Sequence, residues 1–320
     1  FFIEPWLPTH VHNSGNVGAL QGNATGPCAG SGVICGPAPI FAQGIFGSGQ
    51  IVAVADSGTT PWAAWFSTLD KGAGPLTAIT TSQNPAPVPP ATGTLNPNNK
   101  IIAYWLQPSS TGAVPVEYDY TSGHGTNTTG TVLGDAAGTF GAVTYVASTP
   151  SVVNHELADG MAPNAQLLFQ DIGGTSATAV YVNDFSGTLR QAYNGGARVH
   201  NNSWGSSSAG QYSGNDADAD NVTFSNEDLL VVVSAGNDDP GPVQTGTPSN
   251  AKNVLSIAAL NRAGSTVRAS YSNQGPAADG RVKPDISSPG GSGAGLIQSA
   301  DNGTSFSAVP TAPLVVGNAG

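Results

Sequence analysis

GQIVAVADSGTT, residues 49–60, is the stretch on which the fold turns. Ile51 to Ala55 are apolar without a break, and the run stops at Asp56-Ser57-Gly58. A short apolar run rich in Val and Ile, ended by turn residues, predicts a buried strand and its exit. Comparable runs recur along the chain: KIIAYW (100–105), AQLLFQDI (165–172), ARVHNNSWG (197–205), LLVVVSAGN (229–237) and NVLSIAAL (253–260). The fourth of these reads as a strand buried on both faces. Between them lie segments with helical character. HGTNTTGTVLGD (124–135) opens on small residues, and NDADADNVTFSNED (215–228) is polar. TAVYVNDFSGTLRQAYNGG (178–196) spaces Val180, Val182, Phe185 and Leu189 along one helical face and stops at Gly195-Gly196.

Strands alternating with helices, the strands being continuous apolar runs, predict an α/β fold. Its form is three layers, a mainly parallel sheet with helices on both faces. Residues 75–100, rich in Pro, Thr and Asn, read as a surface loop. Residues 1–48 carry little periodicity and read as an N-terminal extension, with the main domain spanning 49–320. No internal repeat is found. Ligands of such sheets sit beyond the carboxyl ends of the strands. Asp56, the Ser203-Trp204-Gly205 turn and Asn237 all follow strand ends, so they are expected along one edge of the sheet.

Composition narrows the function. Only 9% of the 320 residues are charged, against about 25% in an ordinary globular protein. Twenty acidic residues outnumber nine basic ones, for a net charge of −11. That speaks against nucleic acid and anionic membrane surfaces as partners, since both require basic patches. No apolar run approaches the roughly 20 residues that span a bilayer. The 43 glycines and 24 prolines show no Gly-X-Y period, so they mark turns rather than collagen. Cys28 and Cys35, in CAGSGVIC, favour a small disulfide loop. No second Cys or His pair stands nearby to complete a metal site, and two free thiols are the alternative. A disulfide and a polar, uncharged surface suit an exported protein. The opening FFIEPW, with neither Met nor a signal-like segment, reads as a mature form or an excised piece.

TSGHGT (121–126) places His124 between two glycines, where neither neighbour has a side chain. DNGTSFSA (301–308) places Ser305 after a Gly-Thr turn. Taken singly, such a His is a turn residue, such a Ser a helix cap and Asn237 a turn residue with positive φ. Together with Asp56 they have the makings of acyl transfer. A serine is a weak nucleophile until a base takes its proton, and that base must be held in one tautomer.

At these residues the chain resembles the subtilisin-like serine peptidases, the subtilases. The resemblance runs from about residue 49 to 310, in the family's order. It is carried by GQIVAVADSGT, GHGT, GMAPNAQLLF (160–169), NNSWG (201–205), VVVSAGN (231–237), SNAKNVLSIAA (249–259), GRVKPDISSPG (280–290) and NGTSFSA (302–308). NNSWG and GRVKPDISSPG resemble the larger bacterial subtilases that carry a β-rich domain after the catalytic one. The resemblance implies a secreted serine endopeptidase acting on polypeptides. Asp56 would orient His124, His124 would serve as base and then acid, Ser305 as nucleophile, and Asn237 as oxyanion donor. It further implies that Ser203, Trp204 and Gly205 pair with the substrate main chain. With Ala235 and Gly236 they would wall its side-chain pocket. No cofactor is implied for catalysis. Structural calcium is common in the family, but no site for it can be assigned from sequence. The carboxylates of NDADAD (215–220) lack the Gly and terminal Glu of an EF-hand loop and read instead as a helix start. Asn23, Asn127 and Asn221 stand in Asn-X-Ser/Thr patterns, which matter only in a glycosylating host.

The chain departs from the family pattern in places. Asn127 stands where a second histidine is usual, and Phe306-Ser307-Ala308-Val309-Pro310 follows the serine. Pro310 and Pro313 would break the long helix expected there. The chain ends at Gly320, which predicts a domain short at its C-terminal end. Two rival readings follow. One is a subtilase scaffold that binds or builds without turnover. The other is an acid peptidase of the sedolisin type, which the intact GHGT opposes. An imidazole base of ordinary pKa, about 6.5, predicts activity falling away below about pH 6.

Overall fold

The computed structural model describes residues 39–60, 66, 81–83, 100–107, 119, 123–135, 159–173, 180–238, 244–261, 265–290, 297–300 and 315–318. Its elements, in chain order, are α1 (Pro39–Ala42), β1 (Ile51–Asp56), β2 (Thr81–Gln83), β3 (Ile101–Leu106), α2 (His124–Leu133), β4 (Gln166–Asp171), α3 (Phe185–Asn194), β5 (Val199–Asn202), α4 (Gly214–Ser225), β6 (Leu230–Ser234), β7 (Leu255–Leu260), β8 (Ile286–Pro289), β9 (Ile297–Ala300) and β10 (Val315–Asn318). Strands β1 to β8 form one sheet in the order β2-β3-β4-β1-β5-β6-β7-β8. Each neighbouring pair is parallel. The expected α/β architecture is present.

Successive side chains of a strand point to opposite faces, and the parity is kept across the centre of the sheet. Val52 and Val54 of β1, Tyr104 and Leu106 of β3, and Leu167 and Phe169 of β4 pack in one cluster with Leu133 of α2. Ala53, Trp105 and Leu168 point the other way and pack with Ala192 of α3. Phe185 and Leu189 of α3 join Ala219 and Val222 of α4 against Val231 and Val233 of β6. So α2 covers one face, and α3 with α4 covers the other. Each large apolar side chain removed from water in this way contributes roughly 1.5–3 kcal/mol.

Several expectations are corrected in detail. The segment 178–196 is not helical throughout. Asp184 caps α3 by accepting from the Gly187 N–H, and Val180 lies before it in a bridge with Gly173. The β6 run is not buried on both faces along its length, since Leu230 is 43% exposed at its start. The loop reading of 75–100 misses β2, which pairs with β3. Beyond Ser305, where the family pattern runs helical, β10 pairs antiparallel with β9. Val315 and Val316 are β-formers, and Pro310 and Pro313 precede them. The NDADAD carboxylates lie in the first turns of α4. Asp216 closes a capping box there, accepting from the N–H and Oγ of Ser213 at 2.8 and 2.9 Å. Asn127 is buried within α2, out of reach of glycosylation in the folded chain. Asn23 and the Cys28–Cys35 loop lie outside the described residues.

The face beneath α3 carries a chain of neutral polar groups. His200 Nε2 meets Gln170 Oε1 at 2.8 Å, and Gln170 and Gln107 both donate to Gln191 Oε1. Burial depresses the His200 pKa to about 3, which keeps the ring uncharged. On the opposite face the buried Lys100 donates to the Leu133 carbonyl at 3.0 Å and so ties the start of β3 to the end of α2.

Candidate active site

Asp56 ends β1 with the parity of Val52 and Val54, so its side chain faces α2. His124 is the first residue of α2, and its Nδ1 lies 2.7 Å from Asp56 Oδ1. The Ser57 N–H donates to the same oxygen at 2.7 Å. A carboxylate on Nδ1 fixes the neutral ring as the Nδ1–H tautomer, which leaves Nε2 free to accept a proton. The Asp56 charge raises the His124 pKa to about 9, against the opposing effect of burial. His124 keeps 29% of its side chain exposed.

The flanking glycines follow from this approach. Gly123 sits at φ 67°, in left-handed space, and turns the chain into α2. A Cβ on residue 125 would overlap the carbonyl oxygen of Gly58, in the turn after β1. Only a glycine at that position lets α2 come close enough for the imidazole to reach Asp56.

The pair opens onto a cleft of about 440 Å³. Along it lie Ser203, Trp204 and Gly205, the exit of β5, and Gly236 and Asn237, the exit of β6. These residues share the carboxyl edge of the sheet, as their positions after strands predicted. Trp204 both lines the cleft and packs edge-on against Phe185, with ring centroids 5.1 Å apart. Ser206 and Thr247 pair as an antiparallel bridge that holds the β5 exit against the loop around Gly246. Asn237 is exposed to the cleft. Ala235 is not on the wall. It is 1% exposed behind it, donating to Ile257 O and accepting from the Gly246 N–H. Ser305 lies outside the described residues, in the segment that follows β9, and α2 packs beside β9.

The structure adds residues that the sequence reading missed. Val180, Ser234, Asp238 and Thr247 also line the cleft. Beneath the Asp56–His124 pair stands a second buried carboxyl, Asp171, which the sheet register sets directly opposite Asp56. It accepts from Tyr104 Oη at 2.6 Å and from the Gly173 N–H at 2.9 Å. Burial pushes its pKa up to about 8. Its sequence signal was an Asp inside the apolar run LLFQDI, since a charge there needs a partner or a proton. Among the described residues no cluster of three or more His, Cys, Asp or Glu could hold a metal. Among the same residues no helix is long and apolar enough to cross a membrane.

The model of the subtilase family matches residues 47–315. The chain belongs to the subtilase family. The family is one of serine peptidases, hydrolases that act on polypeptides. A similar curated protein is the serine protease/ABC transporter B family protein tagD of Dictyostelium discoideum, 28% identical over 219 residues. That match covers 67% of this chain and 10% of the relative. The related tagB of the same organism is 29% identical over 198 residues, covering 60% of this chain and 8% of that protein. The subtilase thus spans about a tenth of the curated relatives it matches. Among solved structures, a protease from Pseudoalteromonas arctica PAMC 21717 superposes with a TM-score of 0.52 at 22% identity. The match covers 88% of this chain and 76% of that one, a likeness of fold.

Proposed function

We propose that this subtilase is an exported serine endopeptidase that cuts unfolded polypeptides through an acyl-enzyme. The observation that carries the reading is the 2.7 Å contact between Asp56 and His124 at the wall of an open cleft. In this reading Nε2 of His124 takes the proton of the Ser305 hydroxyl as Oγ bonds to the scissile carbonyl carbon. The carbonyl electrons move onto oxygen, where the Asn237 side-chain amide donates to them. Collapse expels the amine, which takes the proton back from Nε2, and water then repeats the sequence to free the acid. Loss of one such oxyanion donor costs about 10²–10³ in kcat, a figure that comes from subtilisin itself.

The cleft-lining exits of β5 and β6 support a role for Ser203, Trp204, Gly205 and Gly236 in holding an extended substrate strand, with Ala235 backing that wall. The reaction calls for no cofactor. Structural calcium is proposed from family alone. Export is supported by the low charge and by the Cys28–Cys35 spacing.

The test is covalent labelling with a fluorophosphonate, read as intact mass and a mapped adduct, with a denatured control. Adduct on Ser305 in folded protein only, together with Ser305-dependent casein hydrolysis, is the expected result. A folded protein that takes no label and cuts nothing would turn the reading to a silent scaffold.

A further inference from the structure

Asp119 stands outside every strand and helix, yet it joins the two elements that bring Asp56 and His124 together. Its Oδ1 accepts from Ser57 Oγ at 3.0 Å, and its Oδ2 accepts from the Thr126 N–H at 2.7 Å. Ser57 is the residue after Asp56, and Thr126 lies in the first turn of α2. Ser57 Oγ also accepts from the Gly125 N–H at 3.1 Å. Thr126 Oγ1 accepts from the Thr60 N–H at 3.0 Å, farther along the same turn. The hydrogen bonds therefore close a ring from Asp56 through Ser57, Asp119 and Thr126 back to His124. The first N–H groups of a helix have no partner within it, and here an acidic side chain supplies one while gripping the strand exit with its other oxygen.

We propose that Asp119 is a positioning residue for peptide hydrolysis: its carboxylate clamps the Ser57 turn to the first turn of α2 and so holds the His124 ring against Asp56. The proposal rests on the endopeptidase reading above. The clamp also has an electrostatic face. Among the described residues, the ionisable groups around it are Asp56 from β1, His124 from α2 and Asp171 from β4, the last bonded to Tyr104 of β3. Burial pushes the Asp119 pKa up to about 6, against the hydrogen bonds from Thr126 and Ser57. Above that pH its negative charge favours protonated His124, adding to the larger effect of Asp56. Removing the charge therefore lowers the His124 midpoint, whereas removing only the hydroxyl link does not. A loosened ring costs turnover rather than binding, because small misplacements of a base are felt most in the reacting geometry.

Three variants of the full chain separate these effects: Asp119→Asn, Asp119→Ala and Ser57→Ala. Each is read by NMR titration of the His124 imidazole and by kcat and KM on a peptide substrate. Asp119→Asn is expected to move the His124 midpoint to lower pH by about half a unit. Ser57→Ala is expected to leave the midpoint in place and to lower kcat about tenfold with KM unchanged. Asp119→Ala is expected to show both effects. Wild-type midpoint and wild-type kcat in the folded Asn and Ser57→Ala variants would overturn the proposal. The titration needs no turnover. A shifted midpoint in a protein that cuts nothing would sustain the coupling of Asp119 to His124 while the hydrolase reading fell.

Discussion

The buried side chain of Asn273 grips Asp238 twice. It accepts from the Asp238 backbone N–H at 2.8 Å and donates to the Asp238 carboxylate at 3.0 Å. The Asn273 N–H also donates to Gly236 O at 2.9 Å, and its amide donates to Gln244 O at 3.2 Å. Asn237, the proposed oxyanion donor, is thereby held from both sides by one residue that is itself fully buried. Asn273→Ala is expected to lower kcat about tenfold or more at nearly constant KM. It is also expected to destabilise the fold by roughly 1–3 kcal/mol, since buried partners lose their bonds. Steady-state kinetics and urea unfolding measure the two effects separately. An unchanged kcat would detach Asn273 from the oxyanion site.

The pH profile follows from the Asp56–His124 contact. The base must be neutral to act, and the Asp56 charge raises its pKa. The acid limb of kcat/KM is therefore expected above the ordinary imidazole value of about 6.5, higher than the sequence alone predicted. Asp56→Asn should move that limb down and lower kcat by about 10⁴, the scale seen when a triad aspartate is replaced. A limb at or below pH 6 in the wild type would contradict the contact.

Asp171 links the fold to pH with a definite sign. Burial raises its pKa from 3.8 to about 8. The folded chain thus keeps a proton that the unfolded chain releases. The stabilisation is fully present below about pH 4 and is lost as pH rises through 8. His124, also raised, acts in the same direction at higher pH. Lys100 is lowered by burial from 10.5 to about 8, so its opposite contribution falls above this window. Between pH 4 and 6.5 the buried His200, lowered from 6.5 to about 3, opposes this loss. The net decline in unfolding free energy is therefore expected between about pH 6.5 and 8, and Asp171→Asn is expected to reduce it. Urea melts across the range test it; a flat wild-type profile would refute it.

Gly125→Ala is expected to abolish most of the activity while leaving the distal core intact. The added methyl meets the Gly58 carbonyl, and α2 must draw back from β1. A displacement near 1 Å can cost about 10²-fold in rate. Near wild-type turnover in this variant would show that α2 has slack that the packing denies.

Much of this was legible in the sequence. The strands of the sheet centre announce themselves because burial on both faces requires unbroken apolar runs, as in Ile51–Ala55 and Leu167–Phe169. Their exits gave Asp56, Asn237 and the Ser203 turn directly. The edge strands did not announce themselves. β2 is Thr-Ser-Gln and β8 is Ile-Ser-Ser-Pro, and such polar segments become strands only because a neighbour offers a ladder. Asp119 and Asn273 were illegible for a different reason. Each acts between segments far apart in sequence, and no local pattern marks a residue whose partners are chosen by the fold. Ala235 was expected on the wall from the family resemblance, but strand alternation turns it inward.

The parity of β1 sets a limit on how this chain can change. Asp56 faces α2 because it stands an even number of steps from Val52 and Val54. Insertion or deletion of one residue inside the strand would reverse that sense. The carboxylate would then lie beneath α3, beside an uncharged chain of amides and imidazole and away from the His124 ring. A substitution within Ile51–Ala55 leaves that parity as it is, but a change of the strand's length by one does not. Viable length variation must therefore come in pairs of residues or be confined to the loops before Gln50.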